Sequence, residues 1–115
     1  MPWPPGRLQA FKAEFFKALA HPLRIRILEA LVVRDRSVQD LQEALGADQP
    51  TVSQQLAVLR AKHIVTASKE GTTVRYALRD PAVRDLLDVA RRIFNNQLIG
   101  SQSMLRELRR ERRPR

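Results

Sequence analysis

The apolar positions of this chain recur at helical spacing over five stretches and alternate over one. Leu8, Phe11, Phe15, Phe16 and Leu19 share a stripe that leaves Arg7, Lys12, Glu14 and Lys17 outside, which predicts a helix over 8–20. Pro22 suits the first turn of a second helix, with His21 as its cap and Ile25, Leu28, Leu31 and Val32 as its buried face up to Val33. Ser37 followed by Asp40 resembles a capping box with a shorter acid, opening a short helix with Val38, Leu41, Ala44 and Leu45 inward and Gly46 at its close. Pro50 starts the next helix after only Ala47, Asp48 and Gln49. Two short helices joined by such a tight turn form a helix-turn-helix, whose second member enters the DNA groove.

Beyond Lys62 the period changes from helical to extended. Ile64, Val65 and Ala67 predict one strand, Glu70, Gly71 and Thr72 a turn, and Val74, Tyr76 and Leu78 a second strand, together a two-stranded hairpin or wing. Asp80 and Pro81 then cap and start a long helix with Val83, Leu87, Ala90, Phe94 and Leu98 on one stripe and Leu86 and Ile93 beside it. Two ends fit this helix: Gly100 breaks it, or the pattern continues through Met104, Leu105 and Leu108. The fold class is mainly α: a winged helix-turn-helix of about five helices with a two-stranded wing, one domain over 1–115. The Pro-rich opening, residues 1–6, is read as flexible, and the basic run 106–115 as a solvated, disordered tail.

The fourth helix carries the most informative face. Val52, Leu56 and Leu59 recur at i, i+4 and i+7 and face a core, turning Thr51, Gln54, Gln55 and Val58 to solvent. A solvated helix face ordinarily holds Lys and Glu. This one holds hydroxyls and amides, and an amide both donates and accepts, so that Gln pairs in bidentate fashion with adenine in the major groove. Gln54 and Gln55 are therefore candidate base contacts, with Gln49 and Thr51 beside them and Ser53 suited to a phosphate. On the hairpin, Lys69, Thr72, Thr73 and Arg75 are candidates for phosphates or a narrow minor groove.

Charge agrees with that placement. The net charge is +9, but residues 1–48 contribute only +1, from seven basic and six acidic residues. Residues 49–79 carry +4 (five against one), 80–103 balance at three each, and 104–115 carry +4 (six against two). A basic reading segment suits phosphate contact with counterion release, and the tail can add non-specific contacts of the same kind. The absence of cysteine excludes disulfides and thiolate metal sites, and no apolar run approaches a membrane span or a signal-peptide core, which predicts a cytoplasmic protein. His21 and His63 lack accompanying ligands, and no nucleophile with a base, Gly-rich phosphate loop or paired catalytic acids is present. The reading assigns no enzymatic activity and no cofactor.

The segments FFKALAHPLRIRILEAL, VQDLQEALGADQPTVSQQLAVLRAKHIV and KEGTTVRYAL, in that order and spacing, resemble the ArsR/SmtB family of winged-helix repressors. The resemblance implies a dimeric bacterial repressor on a palindromic operator, with the first and last helices packing across the two-fold axis until an effector releases the DNA. Leu8, Phe11 and Phe15 on the first helix and Leu87, Ala90, Phe94 and Leu98 on the last are then the candidate dimer contacts. The family's recognition pattern, a Ser followed by His-Leu, falls on Ser53, Gln55 and Leu56, with Gln in place of His. The family's Cys-Val-Cys-Asp-Leu metal box falls on Ser37, Val38, Gln39, Asp40 and Leu41, without either thiolate. Its last-helix metal site, measured from Asp80, falls on Ala82, Ile93 and Asn96, so only the Asp remains. The sequence thus predicts a homodimeric, sequence-specific DNA-binding repressor with an effector other than a metal at those sites. Two alternatives stay open: a winged-helix module that binds another protein, and a metal-responsive repressor with an atypical oxygen and nitrogen site.

Overall fold

The computed structural model describes residues 6–98 and 101–111. Most of the Pro-rich opening (1–5), the breaking position Gly100 and the end of the tail (112–115) lie outside the described residues. Contacts gather the chain into two compact units that part between Arg79 and Asp80.

The first unit holds α1 (Arg7–Leu19), α2 (Pro22–Val33), β1 (Arg36–Ser37), α3 (Val38–Leu45), α4 (Gln49–Ala61), β2 (Val65–Glu70) and β3 (Thr73–Leu78). Its core is aliphatic: Ile27, Leu28, Leu31, Leu41, Val52, Leu56, Leu59, Ile64 and Val65 are all buried. The buried face of α2 departs from the sequence reading, since Ile27 is fully enclosed while Ile25 is 38 % exposed. That helix is apolar on nearly every side, so periodicity leaves its rotation undetermined. On α3, Leu41 is buried and Ala44 is exposed.

The caps follow the local chemistry. His21 Nδ1 accepts from the Leu23 N–H (3.1 Å) ahead of Pro22, and Ser37 Oγ accepts from the Asp40 N–H (3.1 Å). Gly46 closes α3 in the left-handed region at φ 66°, which a glycine adopts without steric cost. The sheet has a third strand that the sequence reading lacks: β1 pairs antiparallel with β3 at Arg36↔Tyr76 and Ser37↔Arg75, giving the order β1-β3-β2. Two residues are too few for an alternation signal. Arg36 is nevertheless buried, with Nε on the Ala30 carbonyl (2.9 Å) and Nη1 on Asp40 Oδ1 (3.4 Å).

The second unit holds α5 (Ala82–Gln97) and α6 (Gln102–Arg110), making six helices among the described residues against about five expected. Asp80 Oδ1 accepts from the Ala82 N–H (2.9 Å), so it caps α5 as its position before Pro81 suggests. Residues 106–110, read from sequence as tail, are the second half of α6. Leu105 is buried and Leu108 half-buried, an i, i+3 pair sufficient to seat one face of a short helix. Arg91 of α5 donates to the Leu108 carbonyl and pairs with Glu111 at 3.4 Å, binding the two helices together. No helix among the described residues is long and apolar enough to cross a membrane.

Candidate nucleic-acid interface

The outer face of α4 is set by what its inner face buries. Val52, Leu56 and Leu59 are at most 1 % exposed, which fixes the rotation of the helix and the direction of every polar side chain on it. Gln49 and Gln54 are exposed, while Thr51, Ser53, Gln55 and Val58 are half-buried. The helix starts one residue before Pro50. Its cap is Asp48, which the sequence reading did not single out: Oδ1 accepts from the Thr51 N–H at 2.9 Å. The Thr51 hydroxyl, and then that N–H, hold the Asp48 carboxyl below its ordinary pKa. An Asp two positions before a Pro at a helix start was the available signal.

Gln49, Ser53 and Gln55 are also engaged within the protein. Gln49 Nε2 donates to Ser53 Oγ at 2.8 Å, one turn along the same face. Gln55 Oε1 accepts from Arg24 Nη1 of α2 at 2.9 Å. Arg24 also donates through Nε to the Ala18 carbonyl (2.6 Å) and through Nη2 to the Lys17 carbonyl (3.3 Å), satisfying the last turn of α1. Nothing in the apolar pattern of α2 marks Arg24. A contact between residues thirty-one positions apart leaves no periodic trace.

At its far end α4 turns sharply into the hairpin. The Ile64 N–H bonds the Leu59 carbonyl and the His63 N–H bonds the Arg60 carbonyl, both at 3.0 Å, a Schellman closure with His63 in the left-handed region at φ 60°. Ile64 and Leu59, the apolar partners of that motif, are both buried. Lys62, at the C-cap, pairs with Glu14 of α1 at 3.3 Å, and Lys62 and then Lys17 hold the Glu14 carboxyl below its ordinary value.

The wing pairs in register from Val65↔Leu78 to Glu70↔Thr73 around a two-residue turn, Gly71-Thr72, with Gly71 at φ 63°. Its four candidates are exposed but do not form one group. Strand alternation places Thr73 and Arg75 on one face and Lys69, opposite Val74, on the other, with Thr72 at the tip. Arg75 Nε donates to Glu70 Oε2 at 3.0 Å, so the single acid of residues 49–79 sits on one of the wing's two cations.

The positions that resemble metal boxes have structural partners. Ser37 and Asp80 cap α3 and α5, and the Asp40 carboxylate bonds Arg34 Nη1 at 2.7 Å as well as Arg36. Among the described residues, no three His, Asp or Glu side chains gather to hold a metal ion.

The expected dimer residues divide by exposure. On α1, Leu8 and Phe11 are exposed, Phe11 at 74 %, while Phe15 is half-buried with its ring edge-to-face on Phe16 at 5.5 Å. Phe16 itself is 58 % exposed. On α5, Phe94 is exposed together with Val89 and Ile93, while Leu87 and Ala90 are half-buried, as is Leu98 at its C-cap.

Comparison with known proteins supplies the kinship of this arrangement. The family model for bacterial regulatory proteins of the arsR family matches residues 21–67. The uncharacterized HTH-type transcriptional regulator Rv0081 of Mycobacterium tuberculosis is 46 % identical over 103 residues, which cover 89 % of this chain and 90 % of the relative. Its crystal structure superposes with a TM-score of 0.77 over 83 % of this chain and 96 % of that one. The solution structure of the homodimeric winged helix-turn-helix DNA-binding domain of Mb0332 from Mycobacterium bovis, 29 % identical, gives a TM-score of 0.74 over 85 % of this chain and 94 % of that one. A biofilm growth-associated repressor of Xylella fastidiosa is 35 % identical over 85 residues, 74 % of this chain and 75 % of the relative.

Proposed function

The chain belongs to the ArsR family of bacterial regulatory proteins, and from this premise we propose that it is a cytoplasmic transcriptional repressor that binds a palindromic operator as a homodimer. One observation carries the reading: α4 is seated on a fully buried Val52, Leu56 and Leu59 face, so its polar side is held rigidly outward beside a basic hairpin. A rigid helix presenting amides and hydroxyls suits base edges, and the positive charge beside it suits phosphates.

In this reading Gln54 and Gln55 address bases, Gln49, Thr51 and Ser53 address the phosphate strand at the helix N-terminus, and Thr72, Thr73 and Arg75 reach the flanking backbone, with Lys69 serving from the opposite face of the wing. The Gln49 bond to Ser53 Oγ leaves the Ser53 hydroxyl proton free to donate to a phosphate oxygen. The exposed apolar residues of α1 and of α5 form the dimer contacts, and a two-fold protein requires two half-sites about one helical turn, roughly 34 Å, apart. The protein works by occupancy rather than catalysis. No thiolate stands at the α3 positions, and Ser37, Asp40 and Asp80 serve in caps and ion pairs, which supports an effector, where one acts, other than a metal at those positions.

Selection from random duplexes tests the proposal. The expected result is an enriched inverted repeat whose affinity falls steeply with salt. Recovery of no preferred sequence would instead favour a protein-interaction module, and a site bound only with zinc, nickel or cobalt added would favour an atypical metal-responsive repressor.

A further inference from the structure

The two neighbouring glutamines of α4 are not equivalent. Gln54 is exposed, whereas Gln55 is half-buried and held from outside its own helix by Arg24. A guanidinium carries only donors, so the amide facing it must offer its oxygen. Arg24 is itself fixed at three points, with Nε and Nη2 on the Ala18 and Lys17 carbonyls and Nη1 on Gln55. One lone pair of the Gln55 oxygen is therefore committed to the protein, and that bond fixes which end of the amide is Nε2.

We propose that Arg24 is a specificity-determining positioning residue, which biases Gln55 from a two-way amide toward a hydrogen-bond donor and favours guanine over adenine. The inference rests on the DNA-binding reading above. Bidentate pairing with adenine needs Oε1 to accept from the base N6 while Nε2 donates to N7. With one lone pair of Oε1 already on a cation, adenine N6 would have to donate to the other beside a guanidinium of like polarity, which weakens the accepting half of that pattern. The donating half is strengthened, because an amide whose oxygen accepts a charge-assisted bond is polarised toward a better N–H donor. Guanine presents two adjacent acceptors, N7 and O6, and no major-groove donor. A Gln55 that presents Nε2 matches that edge, while adenine sets its own N6 donor beside N7, where the only acceptor is an oxygen already shared with a cation. Gln54, unconstrained by any such partner, retains both senses.

The experiment uses the full chain and the inverted repeat recovered by the selection. Replacing each base pair in turn, for wild type and for Gln55→Ala, identifies the pair whose discrimination depends on Gln55. The expected pair is G·C, and replacing its guanine with 7-deazaguanine, which removes the N7 acceptor but keeps the pairing, weakens wild-type binding at least about fivefold. Arg24→Met frees the amide and shifts the preference at that pair toward A·T, with preferences at other positions kept. If Arg24→Met lacks the native circular dichroism spectrum, the wild-type results with A·T and 7-deazaguanine decide. An A·T pair at the Gln55-dependent position, the absence of any such position, indifference to 7-deazaguanine, or a folded Arg24→Met with unchanged preference overturns the proposal while leaving the repressor reading intact. Failure to recover any site removes the repressor reading itself.

Discussion

Helices α4 and α5 are both amphipathic, yet the apolar face of one is sealed while the other keeps several large apolar side chains half exposed. The α4 face of Val52, Leu56 and Leu59 is sealed, whereas on α5 Val89, Ile93 and Phe94 are about half exposed. The difference assigns them different work. A helix whose inner face is fully covered becomes a rigid carrier for its outer face, while uncovered aliphatic and aromatic side chains suit a contact that, in the proposed dimer, a second copy of the chain supplies. The α1 face with Leu8, Phe11 and Phe16 belongs with α5 in this respect.

The sharpest way to break this contrast is to cut into the sealed face. Leu59→Ala should destabilise the fold by about 2–5 kcal/mol in denaturant unfolding, because the site is fully enclosed and closed by the turn at His63. Phe94→Ala should instead leave the circular dichroism spectrum unchanged and raise the dimer dissociation constant about tenfold or more. Equal stability losses at the two positions would erase the distinction. A smaller effect comes from the cap of α3: Ser37→Ala should cost about 1 kcal/mol of stability, through the lost bond to the Asp40 N–H and independently of any added metal.

The smallest effect is a pH dependence at the start of α4. The folded-state pKa of Asp48 is lowered, so the stability it contributes is present above its ordinary 3.8 and is lost as pH falls through the lowered value. Asp48→Asn keeps a capping oxygen but cannot titrate. The variant should therefore show a shallower loss of thermal stability on acidification than wild type, and identical profiles would deny the cap its charge.

Much of this division is legible in the sequence. The i, i+4, i+7 register of α4, the caps at His21 and Ser37, the Gly46 stop and the period-2 hairpin are local patterns, and local patterns are what a chain displays along its length. What escaped was either too short or too distant. The two residues of β1 carry no alternation, and α2 is apolar on too many sides to declare its rotation. The second half of α6 is masked by arginines that read equally well as a solvated tail. In the site, the outward direction of Gln54 followed from the core register. The capture of Gln55 by Arg24 did not, because it depends on how α1, α2 and α4 meet in space.

The central claim is that an internally sealed reading helix acts in pairs through apolar faces left open elsewhere. Sedimentation equilibrium of the wild-type chain at micromolar concentration, alone and on the selected duplex, tests it most directly. The expected result is twice the 13.2 kDa chain mass in free solution and two chains on each inverted repeat. A free monomer, or one chain bound per duplex with full sequence preference, would contradict it.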